Sequence, residues 1–166
     1  MPMFDEEATR GARPAVPHRE EDTYNTSRLD DKAVNTGDIA PKDFTILVVD
    51  DVVDNLVLIS LDLQQLGYRV VTSSNGEEAL KIASLTQPDL ILMDIGMPEL
   101  DGLGATRKIR EQTALEKTPI IAVTAFDTEG FRRAAYDAGF NGYLTKPIDF
   151  GRMHKLIANL LAVRST

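Results

Sequence analysis

The chain has 166 residues, room for one globular domain and little more. Hydrophobic residues make up 43% and charged residues 27%, enough for a core, while 18 Lys and Arg against 26 Asp and Glu give a formal charge of −8. That charge repels a phosphate backbone and argues against direct nucleic-acid binding, and the absence of Cys excludes disulfide frameworks, zinc-thiolate sites and thiol nucleophiles and points to the cytoplasm.

Met1 to Glu7 reaches acidic side chains at once, without the apolar core of an export signal, and no later stretch approaches the roughly 18 uncharged residues of a membrane span. Residues 1–43 hold half of the 8 Pro residues, at Pro2, Pro14, Pro17 and Pro41, and scatter their apolar residues singly. Such a segment cannot bury enough surface to offset its ordering entropy, so a flexible extension is expected.

From Phe44 onward apolar runs alternate with segments of helical period. The first strand is predicted at Ile46 to Val49 and the first helix at Asp54 to Leu66, then a strand at Arg69 to Thr72 and a helix at Gly76 to Leu85. A third strand, Leu90 to Met93, precedes a helix at Leu103 to Glu111; a fourth, Ile120 to Val123, precedes one at Glu129 to Ala138. Gly142 to Leu144 and Phe150 to Val163 complete the series. Gly67, Gly139 and Gly142 are placed at helix ends, and Pro88 and Pro119 ahead of strands. Near-continuous apolar strands such as Ile46 to Val49 are buried on both faces, which requires helices on both sides of a parallel sheet. The predicted fold class is doubly wound α/β.

At 100° per residue, Leu56, Ile59, Leu63 and Leu66 form one stripe of the first helix, which is expected to be buried. Val57 and Leu61 fall opposite, with Leu58 at the border, and are expected to face outward as a partner-docking stripe. His18 and His154 have no second ligand at metal spacing and read as surface residues.

Ligands of an open parallel sheet sit beyond the carboxyl ends of its strands. Those ends carry Asp50-Asp51, Asp94, Thr124 and Lys146-Pro147. Clustered carboxylates repel one another unless a cation lies between them, and oxygen donors without His or Cys favour Mg²⁺ or a similar ion. An amine and a hydroxyl beside such an ion suit a phosphoryl group, with a carboxylate as its acceptor.

The segments LVVDD ending at Asp51, LILMDIGMPELDG from Leu90 to Gly102, AVTA from Ala122 to Ala125 and GYLTKP from Gly142 to Pro147 are similar to the receiver domain of the bacterial two-component response regulators, over Phe44 to Val163. The resemblance implies a flavodoxin-like five-stranded (βα)5 receiver at 44–166 behind the extension at 1–43. It implies that Asp94 accepts a phosphoryl group from a histidine kinase or phosphotransfer protein, and that the protein catalyses only its own phosphorylation and dephosphorylation. Asp51, Asp94 and the backbone carbonyl of Gly96 would ligate Mg²⁺ or Mn²⁺, with Asp50 acting mainly through water. Thr124 and Lys146 would hold the phosphoryl oxygens, Ala125 would leave room for them, and a cis bond would precede Pro147. Thr124 and Tyr143 would form the switch, read on the face of helix 4, strand 5 and helix 5 by an unidentified downstream protein or a second copy of the chain. Gly96 and Phe126 are the less usual residues of the set, and Phe126 is expected to shield the acyl phosphate from water. Because the sequence stops at Thr166, just after the fifth helix, the reading is a stand-alone regulator without an output domain. An aspartate-nucleophile phosphatase of the haloacid-dehalogenase type would place its nucleophile in a D-x-D pattern at the first strand, where this chain has Asp50-Asp51-Val52-Val53. A phosphorylation-independent scaffold is the other alternative.

Overall fold

The structure, a computed structural model, describes residues 40–164; the predicted extension lies outside them except for Ala40 to Asp43. Pro41–Asp43 form one 3-10 turn, and the Asp43 carbonyl accepts a hydrogen bond from Arg69 Nη2 at 3.2 Å. Five strands follow, β1 (Thr45–Val49), β2 (Arg69–Ser73), β3 (Leu90–Met93), β4 (Ile120–Thr124) and β5 (Gly142–Thr145). They alternate with α1 (Val53–Gln65), α2 (Gly76–Thr86), α3 (Gly102–Arg110), α4 (Glu129–Ala138) and α5 (Phe150–Arg164). The sheet is parallel throughout, ordered β2-β1-β3-β4-β5, a flavodoxin-like doubly wound arrangement. Among the described residues no helix is long and apolar enough to cross a membrane.

The period of two along each strand divides the core. Ile46, Val48, Leu90, Leu92, Ile121, Val123 and Leu144 point to one face, where α1 and α5 bring Leu56, Ile59, Leu63, Met153, Ile157 and Leu161. Leu47, Val49, Ile91, Met93, Ala122 and Tyr143 point to the other, covered by α2, α3 and α4. Those three helices present mainly Ala79, Ala83, Ala105 and Ala135, small side chains that let helix and sheet approach closely.

Side-chain caps start four helices. Asn75 Oδ1 accepts from Glu78 N, and the Glu78 carboxylate accepts from Ser74 N just before the cap; Asp101, Thr128 and Asp149 cap α3, α4 and α5. α1 begins at Val53 after Val52, which offers no side-chain cap, so neither Asp51 nor Asp54 is spent on that role. Two sequence expectations are corrected. Leu66 is 41% exposed, because α1 ends at Gln65 before the stripe returns to the core. Gly142 does not end a helix but opens β5, as the strand pattern had it, and a Cβ there would sit 2.9 Å from Leu156 Cδ2 of α5, so a larger residue would displace that side chain. Gly139 does end α4, with φ +108°.

Candidate functional site

The parallel register brings the strand ends together. Val49 pairs with Met93 and Thr124 with Thr145, so the next residues, Asp50, Asp94 and Lys146, leave the same edge of the sheet. Backbone bonds from Asp94 N to Val49 O and from Lys146 N to Thr124 O, each 2.9 Å, extend the ladders one step past the strands.

At this edge Asp50, Asp51 and Asp94 each offer a carboxylate oxygen, all within 4.8 Å of one another. Asp50 and Asp94 are buried and Asp51 is exposed. Lys146 Nζ donates to Asp50 Oδ2 at 2.6 Å and to Asp94 Oδ2 at 2.9 Å. Burial works against the charged ammonium, but hydrogen bonds and charge from Asp50 and Asp94 together outweigh it and hold Lys146 above the ordinary lysine range. The negative cluster therefore carries its own organic cation, with Asp51 facing solvent on the open side.

The two buried carboxylates are held differently. Asp50 accepts from Val52 N at 2.9 Å and from Asn55 Nδ2 at 3.2 and 3.1 Å, besides Lys146, so both its oxygens are engaged. Asp94 takes only Gly96 N on Oδ1, at 3.0 Å, and Lys146 on Oδ2. Asn55 escaped the sequence reading; its only signal was an amide in the first turn of α1, close after the paired acids.

Thr124 is fully buried, and its Oγ1 accepts from Phe126 N at 3.4 Å. Ala125 is exposed beside it, and the Lys146-Pro147 bond is cis. Tyr143 is only 3% exposed, not the half-exposed strand aromatic that its position on an edge strand suggests, and its Oη donates to Phe126 O at 2.6 Å. Burial pushes the Tyr143 hydroxyl pKa up. The Phe126 ring lies against Gly96: a Cβ there would meet Phe126 Cε2 at 3.2 Å and Asp94 Oδ1 at 3.8 Å. Val57, Leu58 and Leu61 are 51%, 56% and 54% exposed, and Val53, Val57, Leu61 and Thr72 line a shallow groove between α1 and β2. His154 is no isolated surface residue; its Nε2 lies 2.6 Å from Asp62 Oδ2 on α1.

The donor set fits a hard divalent cation: oxygen ligands, net negative charge and one exposed carboxylate through which an ion can enter. Charge, geometry and fold agree with what comparison with known proteins finds. PhoP, the alkaline phosphatase synthesis transcriptional regulatory protein of Bacillus subtilis, is 41% identical over 102 residues, which is 61% of this chain and 42% of that protein. The chain thus spans less than half the length of that relative. The polar-differentiation response regulator DivK of Brucella anthropi is 36% identical over 117 residues, 70% of this chain and 95% of DivK. The receiver domain of a sensor histidine kinase from Pseudomonas aeruginosa, solved with a magnesium ion in its active site cleft, superposes with a TM-score of 0.67 at 38% identity, over 71% of this chain and 97% of that one. The family model for the response regulator receiver domain matches residues 46–158, and with the 2-1-3-4-5 sheet and the acidic cluster at its carboxyl edge, the chain belongs to the response regulator receiver domain family, whose members are phosphoacceptors.

Proposed function

We propose that this protein is a phosphorylation switch in which Asp94 takes a phosphoryl group from a histidine kinase or histidine phosphotransfer protein, with Mg²⁺ or Mn²⁺ at Asp51, Asp94 and the Gly96 carbonyl. The observation that carries the reading is Lys146 Nζ bridging Asp50 and Asp94 next to a third carboxylate. Of the two buried carboxylates, Asp94 has the fewer hydrogen bonds and is the freer nucleophile. Asp50, engaged on both oxygens, is suited to orient water.

The Asp94 oxygen attacks phosphorus, a P–O bond forms, and the P–N bond to the donor histidine breaks with its electron pair leaving on nitrogen. A divalent ion supplies neutralisation of the charge on the transferring group. Lys146 follows that charge as a positioned ammonium, and Thr124 Oγ1 donates to a phosphoryl oxygen while Ala125 leaves it space. Drawing Thr124 Oγ1 toward the phosphoryl group moves the same oxygen that accepts from Phe126 N, which links the event to the loop that Tyr143 holds.

The exposed Val57, Leu58 and Leu61 stripe is read as the kinase or phosphotransfer docking face. The face of α4, β5 and α5 is read as the output face, for a downstream protein or a second copy. DivK, almost wholly covered by this chain, supports action as a single-domain regulator, and the protein is read as cytoplasmic, with 44–166 as the receiver and 1–43 as an extension. Intact-mass measurement after incubation with Mg²⁺ and a small acyl phosphate should add one phosphoryl group to the parent and none to Asp94→Asn. A parent protein left unmodified by both the small donor and a phosphorylated histidine kinase would refute the proposal.

A further inference from the structure

Phe126 sits on the rim of the site with 40% of its surface exposed, so burial alone does not fix its ring. Its backbone is fixed at both ends, by N–H to Thr124 Oγ1 and by the carbonyl from Tyr143 Oη. The ring itself stacks on Phe131 of α4, with centroids 4.4 Å apart and planes inclined by 12°. Phe131 is held in the first turn of α4, where its N–H donates to the capping Thr128 Oγ1 at 3.3 Å. The far edge of the Phe126 ring lies against Gly96, on the same spot that the Asp94 carboxylate flanks. Phe131 is thus the side chain stacked on the Phe126 ring, whose Cε2 edge faces Gly96.

We infer that Phe131 is a positioning residue for the lifetime of the phosphorylated state: by stacking on Phe126 it keeps that ring over Gly96 and limits the approach of water to the acyl phosphate. This rests on phosphorylation of Asp94 as proposed above. Hydrolysis requires a water oxygen to form a new P–O bond as the bond from phosphorus to the Asp94 oxygen breaks; the electron pair returns to the carboxylate and the water protons leave with inorganic phosphate. A ring held beside Asp94 occupies part of the space such a water must cross. Because Phe131 belongs to α4, the lifetime is set partly by where the first turn of that helix stands.

The test uses the full chain, phosphorylated with a small acyl phosphate and Mg²⁺, freed of donor, and followed by intact mass as the phosphoryl group is lost. A stacked aromatic pair biases its own arrangement by about two- to tenfold in population. Phe131→Ala should therefore shorten the lifetime by about that factor, while Phe131→Tyr, which keeps the stack, should restore it. Phe126→Ala should shorten it too, and the double variant should decay no faster than Phe126→Ala alone, because Phe131 acts through that ring. Urea unfolding of each variant separates lost packing from lost lifetime. Equal lifetimes for the parent and Phe131→Ala, or additive effects in the double variant, would overturn the inference while leaving phosphorylation of Asp94 intact. A parent that takes up no phosphoryl group would instead overturn the underlying function.

Discussion

Tyr143 Oη donates a 2.6 Å hydrogen bond to the backbone carbonyl of Phe126, tying β5 to the loop between β4 and α4 across a buried ring. The guanidinium of Arg132 lies over the same ring at 4.8 Å, and Arg132 is paired in turn with Asp127 of that loop. Tyr143→Phe keeps the ring and its cation contact but leaves the Phe126 carbonyl without this donor. It should cost about 0.5–1.5 kcal/mol in urea unfolding. Amide resonances of 125–132 should broaden or shift in the variant, and the response of α4 to phosphorylation should weaken.

Lys146 gives a signed pH dependence. Its folded pKa is raised above the ordinary lysine value of 10.5, so its contribution to stability is complete below that value and is lost as pH rises through the folded pKa. Tyr68 and Tyr143, both pushed up by burial, lose stability in the same alkaline direction, so the parent must be compared with Lys146→Met. The variant should be less stable by about 1–3 kcal/mol at neutral pH without metal, because two buried carboxylates lose their shared donor. That difference should shrink above pH 10.5.

Mg²⁺ should raise the melting temperature through mass action, by about 2.7 kcal/mol of stability at a hundredfold excess over Kd, and a chelator should reverse it. Asp51→Asn removes one carboxylate from a repelling cluster, so the metal-free variant should be no less stable than the parent. Its gain on adding Mg²⁺ should disappear. Calorimetry with and without Mg²⁺ reads both halves.

Arg110 organises the opposite edge of the sheet. Its guanidinium donates to the carbonyls of Gly139, Leu115, Glu116 and Thr118 and to Asn141 Oδ1, and burial pulls its pKa down. Lys has no planar fork with which to serve these acceptors. Arg110→Lys should therefore cost about 1–3 kcal/mol in denaturant unfolding, with no loss of phosphorylation by a small donor below the unfolding midpoint.

The proposed docking role of the exposed α1 stripe is testable apart from the chemistry of the site. Val57→Glu or Leu61→Glu places charge on an exposed apolar surface and should barely affect folding. Phosphotransfer from the histidine kinase partner should slow by about five- to thirtyfold if these side chains are central to the contact. Labelling by a small acyl phosphate should stay at the parent rate.

The sequence by itself determined the strand and helix order and which polar residues follow the strands, for a physical reason. Near-continuous apolar runs such as Leu90 to Met93 tolerate only a parallel sheet covered on both faces, and in such a sheet residues that follow the strands meet at one edge. Asp50, Asp94, Thr124 and Lys146 could therefore be grouped without coordinates. The tertiary structure alone decided how they are held. Lys146 divides itself between two carboxylates, Asn55 takes up Asp50, Tyr143 turns inward, and Phe126 stacks on Phe131 over Gly96. None of these is periodic. Lys146 meets Asp50 across 96 positions of chain, and a contact of that kind depends on how helices pack on the sheet, to which a local pattern of apolar residues is blind. Leu66 makes the same point in reverse: helical spacing assigned it to the core, and the end of α1 at Gln65 left it exposed.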